Sequence, residues 1–230
     1  KVFFEATGPD IGQELFLTDG TPEGTYLIKD IREGSFTSSP NDFILAGDNL
    51  FFTARTEETG REIWFSDGTP DGTNLIKDIN PGTEGSIFQN QGWLYHNGKV
   101  YFSAENGTQG YELYASDGTT AGTQLIQDLN PGSADSRPRY MVLYKDDIYF
   151  FASGPEGDEL RRYTPVNVAL NTISGFVYEF NPDDTNDQSQ RLEGVTVTNL
   201  FTNATTTTNA NGEYEIEAED GHQVRFTKDG

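Results

Sequence analysis

One phrase occurs three times in this chain: Glu14-Leu15-Phe16-Leu17-Thr18-Asp19-Gly20-Thr21, Glu62-Ile63-Trp64-Phe65-Ser66-Asp67-Gly68-Thr69 and Glu112-Leu113-Tyr114-Ala115-Ser116-Asp117-Gly118-Thr119. A second Gly-Thr follows each copy, at Gly24-Thr25, Gly72-Thr73 and Gly122-Thr123. An apolar tail ending in Asp comes next: Leu27-Ile28-Lys29-Asp30, Leu75-Ile76-Lys77-Asp78 and Leu125-Ile126-Gln127-Asp128. Asp19, Asp67 and Asp117 lie 48 and 50 residues apart. A period of that size defines a repeat architecture, because one unit cannot bury its apolar face alone and stacks it on the next.

Within each period four stretches read as strands. Val2-Phe3-Phe4-Glu5-Ala6, Leu50-Phe51-Phe52-Thr53-Ala54, Val100-Tyr101-Phe102-Ser103-Ala104 and Ile148-Tyr149-Phe150-Phe151-Ala152 are equivalent, short, and rich in β-branched and aromatic residues. The Glu-Leu-aromatic stretch and the Leu-Ile-Lys-Asp stretch supply two more. A fourth, at Asp42-Phe43-Ile44-Leu45-Ala46, Gly92-Trp93-Leu94-Tyr95-His96 and Tyr140-Met141-Val142-Leu143-Tyr144, is expected to close the unit it follows, and hairpin-type turns at Gly47-Asp48-Asn49, Asn97-Gly98-Lys99 and Lys145-Asp146-Asp147 precede the next strand. Four strands in about 50 residues predict the blade of a β-propeller. Sustained helical periodicity is absent, so the fold class is all-β.

These phrases resemble the ELWxxDGT repeat, a β-propeller-like repeat of bacterial extracellular and cell-surface proteins. The likeness covers roughly the first 150 residues and extends to Asn80-Pro81-Gly82 and Asn130-Pro131-Gly132. It implies an extracellular or cell-surface bacterial setting within a long multi-domain chain.

The turn phrase has its own physical reading. In Asp19-Gly20-Thr21, Asp67-Gly68-Thr69 and Asp117-Gly118-Thr119 the carboxylate can accept backbone N–H bonds two residues on, and the Gly supplies a positive φ. The alternative is a ring of metal or sugar ligands. About 3.5 repeats are present, since the fourth copy keeps Glu159-Leu160 but replaces the turn by Arg161-Arg162-Tyr163-Thr164-Pro165. A closed propeller has four to eight blades, so the chain is expected to be part of a longer polypeptide.

Composition changes after Pro165. The expected division is residues 1–165 as propeller repeats, 166–172 as a linker, and 173–230 as a small β-sandwich that stops short of its last strand. The sandwich rests on alternation, with Tyr214/Ile216 and Val224/Phe226 each on one face. Ser174-Gly175-Phe176-Val177-Tyr178, Leu192-Glu193-Gly194-Val195-Thr196-Val197 and Thr206-Thr207-Thr208-Asn209-Ala210-Asn211-Gly212-Glu213-Tyr214 resemble the B-type repeat domain of Gram-positive surface adhesins. They are also similar to the related carboxypeptidase-regulatory-like, transthyretin-type modules. In the adhesin modules the loop after the first strand often binds Ca²⁺. That resemblance implies Asn181, Asp183, Asn186 and Asp187 as ligands here, all hard oxygen donors. Phe180 departs from the pattern, and a solvated acidic loop is the alternative.

The remaining chemistry is exclusionary. Acidic residues number 37 against 15 basic, a formal charge of −22 that repels phosphate backbones and argues against a nucleic-acid partner. Cysteine is absent, and no apolar run is long enough for a membrane helix. Lys1-Val2-Phe3-Phe4 reads as strand rather than as a signal peptide, so any targeting segment is expected outside this sequence. His96 and His222 lie in different domains without a nucleophile phrase nearby, and His96 is expected as a solvent-facing turn flank. No enzyme is expected.

The leading expectation is a non-catalytic structural or adhesive segment of a secreted or cell-surface bacterial protein, whose partners are other domains of its own chain. One alternative is a carbohydrate-binding propeller holding glycans on Trp64, Trp93 or Tyr114. Those aromatics can equally fill the space between blades. Another is a subunit that assembles with copies of itself through exposed strand edges.

Overall fold

The computed structural model describes residues 1–165, 171–177, 191–200, 204–218 and 223–228. The chain divides into two compact units, Lys1–Val166 and Asn167–Gly230. The described residues are all-β, and no helix among them is long and apolar enough to cross a membrane.

The first unit is a series of antiparallel meanders. The first sheet holds β1 (Val2–Gly8), β2 (Ile11–Thr18) and β3 (Tyr26–Lys29). The second holds β4 (Asn41–Ala46), β5 (Asn49–Thr56), β6 (Gly60–Ser66) and β7 (Thr73–Lys77). The third holds β8 (Leu94–His96), β9 (Lys99–Ala104), β10 (Glu112–Ser116) and β11 (Gln124–Gln127). The fourth holds β12 (Arg139–Tyr144), β13 (Asp147–Gly154) and β14 (Gly157–Tyr163). The sheets repeat, and no closed propeller ring forms among the described residues.

The frame of the repeat differs from the expectation. β4, β8 and β12 were expected to close the unit they follow, yet each pairs with the strand after it: Ala46 with Asn49, His96 with Lys99, and Tyr144 with Asp147. The cause is local. Gly47, Asn97, Gly98 and Lys145 have positive φ, so two-residue hairpins form at these points. Closing so short a loop costs far less entropy than pairing back across the long polar loop before it.

Side-chain alternation then gives each sheet a front and a back. Leu15, Leu17 and Ile28, from the front of the first sheet, form one buried cluster with Leu50, Phe52, Ala54 and Trp64 from the back of the second. Tyr101, Leu113 and Ala115 of the third sheet form another with Met141, Ile148, Phe150 and Ala152 of the fourth. Each fully buried Leu or Phe in these joints contributes about 1.5–3 kcal/mol.

The second unit contains two small antiparallel sheets. β15 (Asn171–Phe176) pairs with β18 (Glu213–Ala218), while β16 (Thr196–Asn199) lies between β17 (Thr205–Thr207) and β19 (Val224–Thr227). Val195, Val197 and Ile216 are the buried apolar side chains among its described residues, and the Tyr214 and Phe226 rings meet edge-on at 5.4 Å.

Candidate functional site

The aspartate of each Asp-Gly-Thr turn is occupied by its own turn. Asp67 Oδ1 accepts from the Thr69 amide at 2.9 Å and from Thr69 Oγ1 at 2.7 Å. Thr69 Oγ1 accepts in turn from the Gly72 amide at 3.0 Å, and Thr73 Oγ1 donates to the Thr69 carbonyl at 2.7 Å. The same contacts recur at Asp19 with Thr21, and at Asp117 with Thr119. Gly20, Gly68 and Gly118 sit at φ of 95°, 88° and 91°, the left-handed region the turn requires. Hydrogen bonds from Thr21 hold the Asp19 carboxyl below the ordinary aspartate range. Among the described residues, no group of three or more His, Asp or Glu is placed to share a metal ion.

A second repeated device lies deeper. Glu14, Glu62 and Glu112 are fully buried. Glu14 Oε2 accepts from the Ile31 amide at 3.0 Å and from Ser38 Oγ at 2.6 Å. Glu62 takes the Ile79 amide and Ser86 Oγ in the same way, and Glu112 takes the Leu129 amide and Ser136 Oγ. Each serine then passes its carbonyl to the following sheet. Ser38 accepts from the Arg55 amide at 2.8 Å, Ser86 from Glu105 at 3.0 Å, and Ser136 from Ser153 at 2.7 Å. The Glu–Ser pair is therefore a strut between consecutive sheets. Burial drives the carboxyls of all three glutamates upward, that of Glu62 to about 7, against the lowering effect of their hydrogen bonds.

Sequence reasoning missed this strut. Its signal was present, since Ser38, Ser86 and Ser136 each stand 24 residues after their glutamate. They lie in loops outside the repeated phrase, and only the spacing marks them.

A recess in the first unit is open to a ligand. A cleft of about 580 Å³ is lined by Glu5, Asn41, Asp42, Phe43, Asn90 and Trp93, among others. Its wall is built rather than incidental. Asp42, at φ 53°, accepts from the Asn90 amide at 2.8 Å and from Thr53 Oγ1 at 3.2 Å. The Arg61 guanidinium donates to Thr53 Oγ1 at 3.1 Å and to the Ser39 carbonyl at 2.8 Å. Burial raises the Asp42 carboxyl and lowers the Arg61 guanidinium. Trp93 is half-buried and leans on Phe102, with ring centroids 5.1 Å apart. This combination of an aromatic surface, two carboxylates and side-chain amides can hold a neutral polyhydroxylated molecule.

The sequence-selected aromatics separate here. Trp64 and Tyr114 are only 7% and 4% exposed, Trp64 inside the joint between the first two sheets, and neither offers a face to a ligand. That corrects their candidacy, because the stacking of sheets demands large apolar fillers at those positions. Trp93 alone of the three lines the cleft. His96 flanks the Asn97-Gly98 turn as expected, but it is half-buried rather than solvent-facing, and its Nε2 lacks a hydrogen-bond partner. Asn181, Asp183, Asn186, Asp187 and His222 lie outside the described residues.

A scan against protein-family models finds no match to this chain, and a search of curated proteins finds none either.

Proposed function

We propose that this chain is a non-catalytic structural or adhesive segment of a secreted or cell-surface bacterial protein, in which propeller-like repeats present a binding surface and the second unit acts as a spacer. The observation that carries the reading is the use made of the recurring polar residues. The turn aspartates and buried glutamates are committed to turns and to inter-sheet struts, as a scaffold requires. The resemblance to ELWxxDGT repeats and to adhesin B-type modules supports the extracellular setting. Antibody raised against the chain should label intact cells of the source bacterium. Labelling only after permeabilisation would overturn the reading.

A second reading is carbohydrate binding in the cleft beside Trp93, favoured by the pairing of that ring with Glu5 and Asp42. Glycan-array binding lost in Trp93→Ala but kept in Trp64→Phe would support it; equal binding by wild type and Trp93→Ala would sink it. The calcium expectation at Asn181, Asp183, Asn186 and Asp187 belongs to the same proposal, as a device that would stiffen the spacer.

A further inference from the structure

Three aspartates end the apolar tails of the repeats, and each has one buried oxygen that accepts no hydrogen bond from the protein: Asp30 Oδ1, Asp78 Oδ1 and Asp128 Oδ1. Two of the three strut glutamates share this property. Glu62 and Glu112 are 0% exposed, and their Oε2 atoms are held by the strut. Their Oε1 atoms have no hydrogen-bond partner. Glu14 differs, because the Ser38 amide donates to its Oε1 at 3.0 Å. A buried carboxylate oxygen without a partner is costly, and a set of them recurring at one register calls for a common one.

In the second and third sheets the orphaned oxygens come in pairs. Glu62 Oε2 accepts the amide of Ile79, the residue after Asp78, at 3.1 Å. Glu112 Oε2 accepts the amide of Leu129, the residue after Asp128, at 2.6 Å. The strut thereby ties each glutamate to the backbone beside an aspartate. Burial is the main force raising both glutamate carboxyls, and the charge of the neighbouring aspartate adds to it in each pair. Two acceptor oxygens on like-charged groups cannot satisfy each other. No lysine or arginine among the described residues forms an ion pair with any of the four carboxylates. A cation between the two oxygens would serve both and cancel the repulsion that holds the pair in its costly state.

We propose that each pair, Glu62 with Asp78 and Glu112 with Asp128, is the carboxylate half of a site for a divalent hard cation, with Ca²⁺ the ion of best fit. Ca²⁺ accepts oxygen ligands in irregular arrangements, whereas Mg²⁺ demands a near-ideal octahedron. Asp78 and Asp128 are half-buried, so each site has a side towards solvent from which the ion enters and waters complete its shell. Glu14 and Asp30 form no such pair, since only the aspartate there has a spare oxygen. The inference goes beyond the readings above and holds for a scaffold and for a glycan binder alike.

The test is calorimetric titration of Ca²⁺ into the intact, chelator-treated chain carrying Asp183→Asn and Asp187→Asn, so that the second unit's loop contributes nothing. This parent should bind two ions with Kd of about 0.1–1 mM, the range of extracellular calcium modules. Asp78→Asn and Asp128→Asn should each remove one ion and together remove both, while Asp30→Asn should leave two. Each change keeps the size of the side chain and removes an uncompensated charge. Without Ca²⁺ the Asp78→Asn, Asp128→Asn chain should therefore melt at the parent's temperature or above it, and with saturating Ca²⁺ below it. Loss of an ordinary structural contact would not reverse in this way. A parent that binds no Ca²⁺ overturns the proposal and leaves the paired oxygens to a proton. Ions retained by the doubly changed chain also overturn it, as does a chain that melts below the parent without Ca²⁺. So does a rise in melting temperature matched by sodium chloride at equal ionic strength, which is general screening.

Discussion

The ammonium of Lys77 donates to the carbonyl of Thr123, one sheet further on, at 2.7 Å. Lys29 does the same to Thr73 at 2.6 Å. In both cases the lysine ends the last strand of one sheet and grips the second Gly-Thr of the next. The third member of the series is Gln127, and the fourth sheet lacks the turn phrase that a lysine there would reach. Sheet and successor are matched residue by residue.

Lys77→Gln should therefore destabilise the first unit by about 1–2 kcal/mol, the scale of a hydrogen bond from a charged donor in a half-buried place. Urea unfolding followed by fluorescence should show a lower midpoint with an unchanged slope. Gln127→Ala should leave the midpoint within about 0.5 kcal/mol of wild type. Equal effects at the two positions would remove the lysine tie.

The buried glutamates give stability a dependence on pH. The Glu62 carboxyl lies near 7 when folded against an ordinary 4.5, chiefly through desolvation. Between those values the folded chain binds the proton and the unfolded chain does not. Stability is therefore fully present below about pH 4.5 and falls as pH rises towards 7, at up to about 1.4 kcal/mol per pH unit. Glu14 and Glu112 are raised as well and act in the same direction. Asp19 is lowered and acts oppositely, losing its contribution only in stronger acid. Urea midpoints from pH 4.5 to 8 should decline for wild type and decline less steeply for Glu62→Gln. Parallel curves would contradict this account.

Two glycines of the turn phrase resist substitution for different reasons. A Cβ on Gly72 would lie 2.1 Å from Asp67 Oδ1, inside the hydrogen-bonded turn. Gly72→Ala should cost about 2–4 kcal/mol by forcing the turn open. A Cβ on Gly20 would meet nothing within 4 Å, and its φ of 95° is the only obstacle. Gly20→Ala should cost about 1–2 kcal/mol of backbone strain. Thermal melts of the pair should rank Gly72→Ala as the more severe.

Calcium bound by Asn181, Asp183, Asn186 and Asp187 should raise the melting temperature of the second unit, with the gain removed by chelator. Asp183→Asn together with Asp187→Asn should abolish that gain while leaving the first unit's transition in place. A melting curve indifferent to calcium would end the expectation.

The strands around Phe51, Tyr101 and Tyr149 were legible because aromatic and β-branched residues converge there, and the Asp-Gly-Thr turn was legible because its chemistry is local. The pairing frame was legible only in part: the hairpin turns at Gly47-Asp48-Asn49, Asn97-Gly98-Lys99 and Lys145-Asp146-Asp147 were marked, but the stretch before each was assigned to the preceding unit. A strand belongs to whichever neighbour its shorter loop reaches, and the apolar pattern is silent on which one that is. The Glu–Ser strut was hidden for another reason: Glu62 reads as a polar strand position, and its burial is decided by a serine 24 residues away. Trp64 and Trp93 look alike in sequence. Only the stacking of sheets tells the filler from the cleft residue.

Because Ser86 accepts from the Glu105 amide while binding Glu62, every stretch of 48 to 50 residues contributes to two sheets at once. No cut in the gene can isolate one sheet with all its partners. An in-frame duplication or loss of one whole period, begun at any codon, nevertheless restores each donor to an acceptor. Such a scaffold can change length by recombination in whole steps without passing through a misfolded ancestor.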